Sequence, residues 1–215
     1  MSIAEAIAAV RLQIDAAARA SSRSPDSVKL IAVSKTVAAA RVREVVAAGH
    51  LDLGENYAQE LRDKAPEVPG ARWHYIGPLQ RNKVKYVVGT ATLIHSVDSA
   101  ALGAEIASRA AAQGLVQACL IQVNVGDEPQ KSGCAADELP SLLDVLRQRA
   151  SLRIDGLMCI PPAEGDARAH FSRLRTLAEQ HGLRELSMGM SADYASAIAE
   201  GATLVRVGSA IFGAR

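Results

Sequence analysis

Short apolar runs take turns along this chain with longer stretches whose apolar residues recur three and four apart. Runs rich in Val, Ile and Leu stand at 28–34 (VKLIAVS), 50–54, 73–76, 92–96, 118–125 (ACLIQVNV), 152–160, 184–188 and 203–207. Their length, and the Gly, Pro and Asp residues that bound them, predict β-strands. Helical spacing predicts helices over 38–48, 56–64, 79–88, from Asp98 or Ser99 to Gly114, and over 136–149, 166–181 and 192–200, with a short turn at 209–215. Gly49, Gly89, Gly114, Gly182 and Gly201 fall where these helices stop. The first twenty residues carry Glu5, Arg11 and Asp15 at helical spacing, which predicts an amphipathic helix ahead of the first strand rather than a secretion signal.

Strands joined by crossovers of this length run parallel. Eight of them, each followed by a helix or turn, close into a (β/α)8 barrel, and 215 residues lie at the short end of that fold's range. The expected architecture is a single α/β barrel domain over 1–215 with an extra N-terminal helix. An open doubly wound sheet is the weaker reading, because no GxGxxG follows the first strand. In a barrel the C-terminal strand ends share one face, and Lys35, Glu55, Asn56, His74, His95, Asn124, Ser191, Arg206 and Ser209 all fall in or just beyond strand ends.

Composition narrows the function classes. Hydrophobic residues make up 49% of the chain and aromatics only 3%, so the core is aliphatic, which suits a parallel sheet under Ala-rich helices. The net charge of +1 comes from interspersed signs, which leaves neither the basic footprint nor the stacking platforms of a nucleic-acid binder. No apolar run is long enough to span a membrane. Three widely spaced cysteines, Cys119, Cys134 and Cys159, offer no disulfide framework or zinc site and fit a reducing, cytoplasmic setting.

Lys35 ends an apolar strand, where desolvation favours the neutral amine that carbonyl attack and Schiff-base formation need. The plain alternative is a lysine that reaches solvent as the strand exits. The loops after the last two strands weaken that alternative, since barrels often build phosphate sites there. Strand seven runs into Ser187-Met188-Gly189-Met190-Ser191-Ala192-Asp193, and Ser191 is expected to open the next helix and face an anion. Strand eight runs into Val207-Gly208-Ser209-Ala210, where Gly208 permits close backbone approach and Ser209 begins the terminal turn. Simple capping would account for one such serine, but two small-residue loops favour phosphate. Arg206 shares the side of its strand with Gly208, so it is either paired with a carboxylate such as Glu55 or Asp52 or a donor to a ligand. His74, His95, Asp155 and Cys159 form no metal-ligand spacing and are read as pocket lining or satisfied core groups.

AVSKT around Lys35, GENYAQE at 54–60, WHYIGPLQRNK at 73–83 and SMGMSADYASAIAEGATLVRVGSAIFGAR at 187–215 resemble the YggS/PROSC family, the pyridoxal phosphate homeostasis proteins. QVNVGDEPQKSG at 122–133 and GLMCIPP at 156–162 also fit, so the resemblance spans essentially the whole chain. It implies a barrel similar to the N-terminal domain of alanine racemases, with pyridoxal 5′-phosphate (PLP) held as a Schiff base on Lys35. It further implies phosphate contacts from Ser191, the Met190 backbone, Gly208 and Ser209, with Arg206 facing the pyridine nitrogen and Asn56 near the ring. Lys131 is weighed as a partner of the ring hydroxyl against a plain surface lysine, and the surface reading is preferred. The implied role is PLP binding, storage and delivery in the cytoplasm by a monomer, with PLP-dependent enzymes as clients and no nucleic-acid or membrane partner.

An arginine beside the pyridine nitrogen opposes its protonation and weakens the ring as an electron sink. The chain ends just after the eighth strand, whereas alanine racemases continue into a second domain that brings the opposing catalytic tyrosine. No catalytic residue is therefore assigned. The rivals are a weak racemase-like PLP enzyme using Tyr57, Tyr75 or His74 opposite Lys35, a Schiff-base aldolase, and a scaffold barrel whose polar rim is incidental.

Overall fold

The computed structural model describes residues 1–213. Eight strands, β1 (Lys29–Val33), β2 (Asp52–Glu55), β3 (Arg72–Tyr75), β4 (Ala91–Val97), β5 (Gln117–Gln122), β6 (Leu152–Met158), β7 (Glu185–Ser187) and β8 (Leu204–Val207), pair in chain order, all parallel. The register Lys29↔Leu204 through Ala32↔Val207 joins β1 to β8 and closes the barrel. Every expected strand forms within a few residues of its expected bounds.

The helices are α1 (Ile3–Ala20), α2 (Ala39–Ala47), α3 (Ala58–Lys64), α4 (Ala100–Ala112), α5 (Leu139–Arg147), α6 (Ala167–Gln180), α7 (Tyr194–Ala199) and α8 (Ser209–Phe212). The extra helix α1 buries Ile3, Ala6, Val10, Ile14 and Ala18, one stripe at three- and four-residue spacing, and packs on α2, α7 and α8. It starts in a capping box: Ser2 Oγ accepts from the Glu5 amide and Glu5 Oε2 accepts from the Ser2 amide.

Most helices form within two or three residues of their expected bounds, α3 and α5 starting late at Ala58 and Leu139, and two departures have a visible local cause. The segment expected as a helix over 79–88 is a 3₁₀ turn, Arg81–Tyr86. Asn82, Val84, Tyr86, Val87 and Val88 are weak helix formers, and fully buried Val84 and Val87 stand three apart, the spacing that stacks in a 3₁₀ turn. Helix α7 begins at Tyr194 rather than at Ala192, because Asp193 Oδ1 accepts the Met190 amide at 2.6 Å and holds 190–193 in a turn.

Side-chain alternation along the strands splits the interior in two. One set packs outward under the helices and forms the large core that includes Leu30, Ala32, Leu53, Ile94, Ile121, Leu157 and Val205. The other is a smaller cluster of strand residues alone, Ile31, Leu93, Ala118, Leu120, Met158 and Leu204, which fills the barrel lumen. Arg206 and His95 share strand parity with Leu204 and Leu93, so they too occupy the lumen, one layer nearer the C-terminal rim.

Candidate functional site

A cavity of about 360 Å³ opens at the C-terminal face of the barrel. Lys35, Asn56, Met190, Ser191, Arg206, Gly208 and Ser209 all line it, so the fold brings together the seven residues that the resemblance assigns to PLP, while Glu55, His74, His95 and Asn124 stay outside. Three apolar walls were not foreseen: Val33, Ile76 and Ile160. They lie at strand ends, where nothing in an apolar strand pattern tells a cavity wall from a core residue.

Lys35 follows β1 and is half-buried, with no hydrogen bond or ion pair among the described residues. Both its neighbours are clamped. Lys64 Nζ donates to the Ser34 carbonyl at 2.6 Å, to Glu55 Oε1 at 2.8 Å and to Glu60 Oε1 at 2.5 Å. Ser34 Oγ donates to the same Glu55 oxygen at 2.6 Å. On the other side Thr36 sits at φ +61°, a left-handed conformation that a β-branched residue rarely adopts, and its amide donates to Glu60 Oε1 at 2.7 Å. The chain direction at Lys35 is thus set by a buried Glu55–Lys64–Glu60 cluster. Burial outweighs the hydrogen bonds from Lys64 and Ser34 and raises the Glu55 carboxyl above its ordinary range, and Glu55 Oε2 has no partner. Glu60 and Lys64 were legible in the sequence as an i,i+4 pair, but not as an inward-facing one.

Asn56 is fixed through its backbone. Its carbonyl accepts from the buried Tyr75 hydroxyl at 3.1 Å, and a Cβ on Gly77 would come within 2.2 Å of the same oxygen. Tyr75 also donates to the Pro78 carbonyl, and burial pushes its hydroxyl up to about 12.

At the opposite wall Ser209 Oγ and Ser191 Oγ approach to 3.4 Å, both solvent-accessible. Ser191 does not open a helix as expected; Asp193 holds that position. The Met190 amide is already engaged by Asp193, so an anion would gain it only by displacing that carboxylate. The φ of +87° at Gly189 makes this turn, and a Cβ there would meet Ala197 at 2.6 Å.

Arg206 is buried and, contrary to one sequence reading, pairs with neither Glu55 nor Asp52. Its Nη1 donates to Ser187 Oγ at 2.6 Å and its Nη2 to the Cys159 carbonyl at 2.9 Å. Burial lowers its pKa from the ordinary arginine value. His74 and His95 do not line the cavity. They are satisfied lumen groups, hydrogen-bonded to each other at 3.0 Å, and burial lowers both pKa values. Asn124 also lies away from the cavity and closes its own loop through Glu128. Lys131 is half-buried, tied to the Pro161 carbonyl at 2.9 Å and to Glu128 Oε2 at 2.5 Å, and does not line the cavity. Tyr57, Tyr75 and His74, the candidate opposing acid/base groups, are all absent from the lining.

Among the described residues no group of His, Cys, Asp and Glu could hold a metal ion. No helix of the described residues is long and apolar enough to cross a membrane. The three cysteines are free and buried, and burial pushes each thiol up to about 12.

The donor set suits a flat heteroaromatic phosphate carrying an aldehyde. A primary amine, a buried guanidinium, a pair of hydroxyls beside a glycine, and three aliphatic walls surround one space. Comparison with known proteins points the same way. Residues 7–215 match the family described as alanine racemase, N-terminal domain. A pyridoxal phosphate homeostasis protein of Pseudomonas aeruginosa is 47% identical over 221 residues, covering 99% of this chain and 96% of that protein. One of Deinococcus radiodurans is 45% identical over 215 residues, covering 99% of this chain and all of that protein. The structure of PipY from Synechococcus elongatus PCC7942 with PLP bound matches with a TM-score of 0.86 at 40% identity, covering 99% of this chain and 100% of that one.

Proposed function

The chain belongs to the pyridoxal phosphate homeostasis protein family, on an alanine racemase N-terminal domain barrel, and from that premise we propose that it binds PLP at the C-terminal face and serves in PLP storage and delivery. The observation that carries this reading is the convergence of Lys35, Arg206 and the Ser191–Ser209 pair on one cavity. PLP supplies an aldehyde that condenses with primary amines and a ring that withdraws electrons.

Lys35 is the amine that holds the aldehyde as a Schiff base, and the Glu55–Lys64–Glu60 cluster fixes the strand end from which it projects. Arg206 donates to the pyridine nitrogen and, being cationic, opposes protonation there, which favours holding the cofactor over driving carbanion chemistry. Ser191, Ser209 and the Gly208 backbone hold the phosphate; Met190 completes that rim, and Asn56 lines the ring. Among the described residues no second acid/base side chain lines the cavity with Lys35, which supports a carrier over a two-base racemase. We place this carrier, one unit over 1–215, in the cytoplasm as a monomer with PLP-dependent enzymes as its clients.

Calorimetric titration with PLP and with pyridoxal, which lacks the phosphate, tests the assignment. PLP binds at least about ten-fold more tightly to the parent, and a Ser191→Ala/Ser209→Ala variant loses that preference. Equal affinity of the parent for both ligands would place the phosphate elsewhere.

A further inference from the structure

A continuous polar file crosses the barrel lumen from its N-terminal end to the cavity. Asp52 Oδ1 lies 3.2 Å from His74 Nε2, His74 Nδ1 lies 3.0 Å from His95 Nε2, and His95 Nδ1 lies 2.8 Å from Ser187 Oγ. Ser187 Oγ then accepts from Arg206 Nη1 at 2.6 Å. Every member is buried: Asp52 is 6% exposed, His74 3%, His95 0%, Ser187 0% and Arg206 4%.

With both buried rings neutral, the chemistry of the two ends fixes the direction of every bond between them. Asp52 also accepts from Arg72 Nε at 3.0 Å, so it is an ionised carboxylate and can only accept. His74 must therefore carry its proton on Nε2, and as a neutral ring it accepts at Nδ1. His95 then donates from Nε2 and accepts at Nδ1, where the one hydroxyl hydrogen of Ser187 goes. That leaves the Ser187 oxygen as an acceptor, which is what a guanidinium requires, since arginine only donates. Reversing any one bond would set two acceptors or two donors face to face in a buried site.

Resting on the proposed cofactor assignment, we propose that Ser187, His95 and His74 are positioning residues. They form a one-way hydrogen-bond relay, anchored on Asp52, that holds the Arg206 guanidinium in place with its remaining donors free for the aromatic nitrogen of the ligand. The Cys159 carbonyl pins the other guanidinium nitrogen, so Arg206 is held at two points and cannot turn away from the cavity without breaking both. None of the three relay residues lines the cavity, so each acts only through Arg206.

Two measurements test the relay. Long-range ¹H–¹⁵N NMR of the ligand-free protein at neutral pH reads the tautomers directly, and both His74 and His95 are expected as neutral Nε2–H rings. An Nδ1–H tautomer in either, or a charged ring, overturns the relay. The second measurement is PLP titration of Ser187→Ala, with Ser187→Thr as the variant that keeps the hydroxyl. The alanine variant is expected to bind PLP about ten-fold more weakly, or about 1.4 kcal/mol, with a displaced absorption band and altered His95 resonances, and the threonine variant to restore all three. Parental affinity and spectrum in a folded Ser187→Ala protein overturn the positioning role. A parent that takes up no PLP refutes the cofactor assignment and with it the role toward the ligand, while the tautomers still decide whether the file is ordered.

Discussion

Two histidines held neutral in the lumen make stability depend on acid in a way that can be worked out. His95 is fully buried and His74 nearly so, and desolvation lowers both from the ordinary histidine value of 6.5. A group whose pKa is lowered on folding contributes stability that is present above its unfolded pKa and lost as pH falls toward its folded one. Between about pH 7.5 and 5.5 the unfolded chain takes up nearly one proton at His95 that the native ring, held well below its ordinary value, refuses, a loss of about 1.4 kcal/mol, and His74 adds to it in the same direction. His50, lowered chiefly by burial, acts in the same sense. Glu55 acts in the opposite sense, because its raised pKa contributes stability below the unfolded value of 4.5 that is lost as pH rises. Asp52 is held well below the ordinary range, since the hydrogen bonds from His74 and Arg72 overcome the desolvation that would raise it, and its contribution is lost only at lower pH. Comparison with His95→Gln cancels the contributions the two proteins share. Urea unfolding at both pH values should show the gap between parent and variant shrinking by about 1.4 kcal/mol on acidification, since only the parent carries the His95 site. Parallel losses in the two proteins would mean that His95 titrates freely in the native barrel, and would refute the argument.

Two further substitutions probe the supports of the site. Lys64→Met removes the cation from buried Glu55 and the clamp on the Ser34 carbonyl, and should cost about 3–5 kcal/mol in denaturant unfolding, with Glu55→Gln added to it recovering part of the loss. A change within about 1 kcal/mol would mean that the cluster is hydrated and contributes little. Gly77→Ala drives a methyl group against the Asn56 backbone, so stability should fall by about 1–3 kcal/mol and PLP affinity should drop with it. Unchanged affinity in that variant would remove Asn56 from the cofactor site.

The barrel was legible because each strand–helix unit carries its own period, and parallel pairing with right-handed crossovers leaves few ways to join eight of them. The cavity rim was legible in part: of the nine polar residues that break apolar patterns at strand ends, Lys35, Asn56, Ser191, Arg206 and Ser209 line it, while Glu55, His74, His95 and Asn124 do not, and the resemblance was needed to tell them apart. What stayed hidden depends on pairing across the sheet. Ser187 reads as one more small residue in a strand, and only the closed barrel sets it between His95 and Arg206, 92 and 19 residues away. Lys64 reads as an exposed helix lysine, yet the packing of α3 on β2 carries its ammonium onto Glu55. Ser191 was misplaced as a helix opener because Asp193, two residues on, competes for the Met190 amide and ends the turn there.

The central claim is that Lys35 is the amine that holds PLP. It is tested most directly by recording the visible absorption of the protein with added PLP, reducing with borohydride, and mapping the labelled peptide by mass spectrometry. The account predicts an imine band in the parent, a single label on Lys35, and no band in a folded Lys35→Ala variant. No band in the parent, or a label spread over surface lysines with Lys35 unmodified, would contradict it.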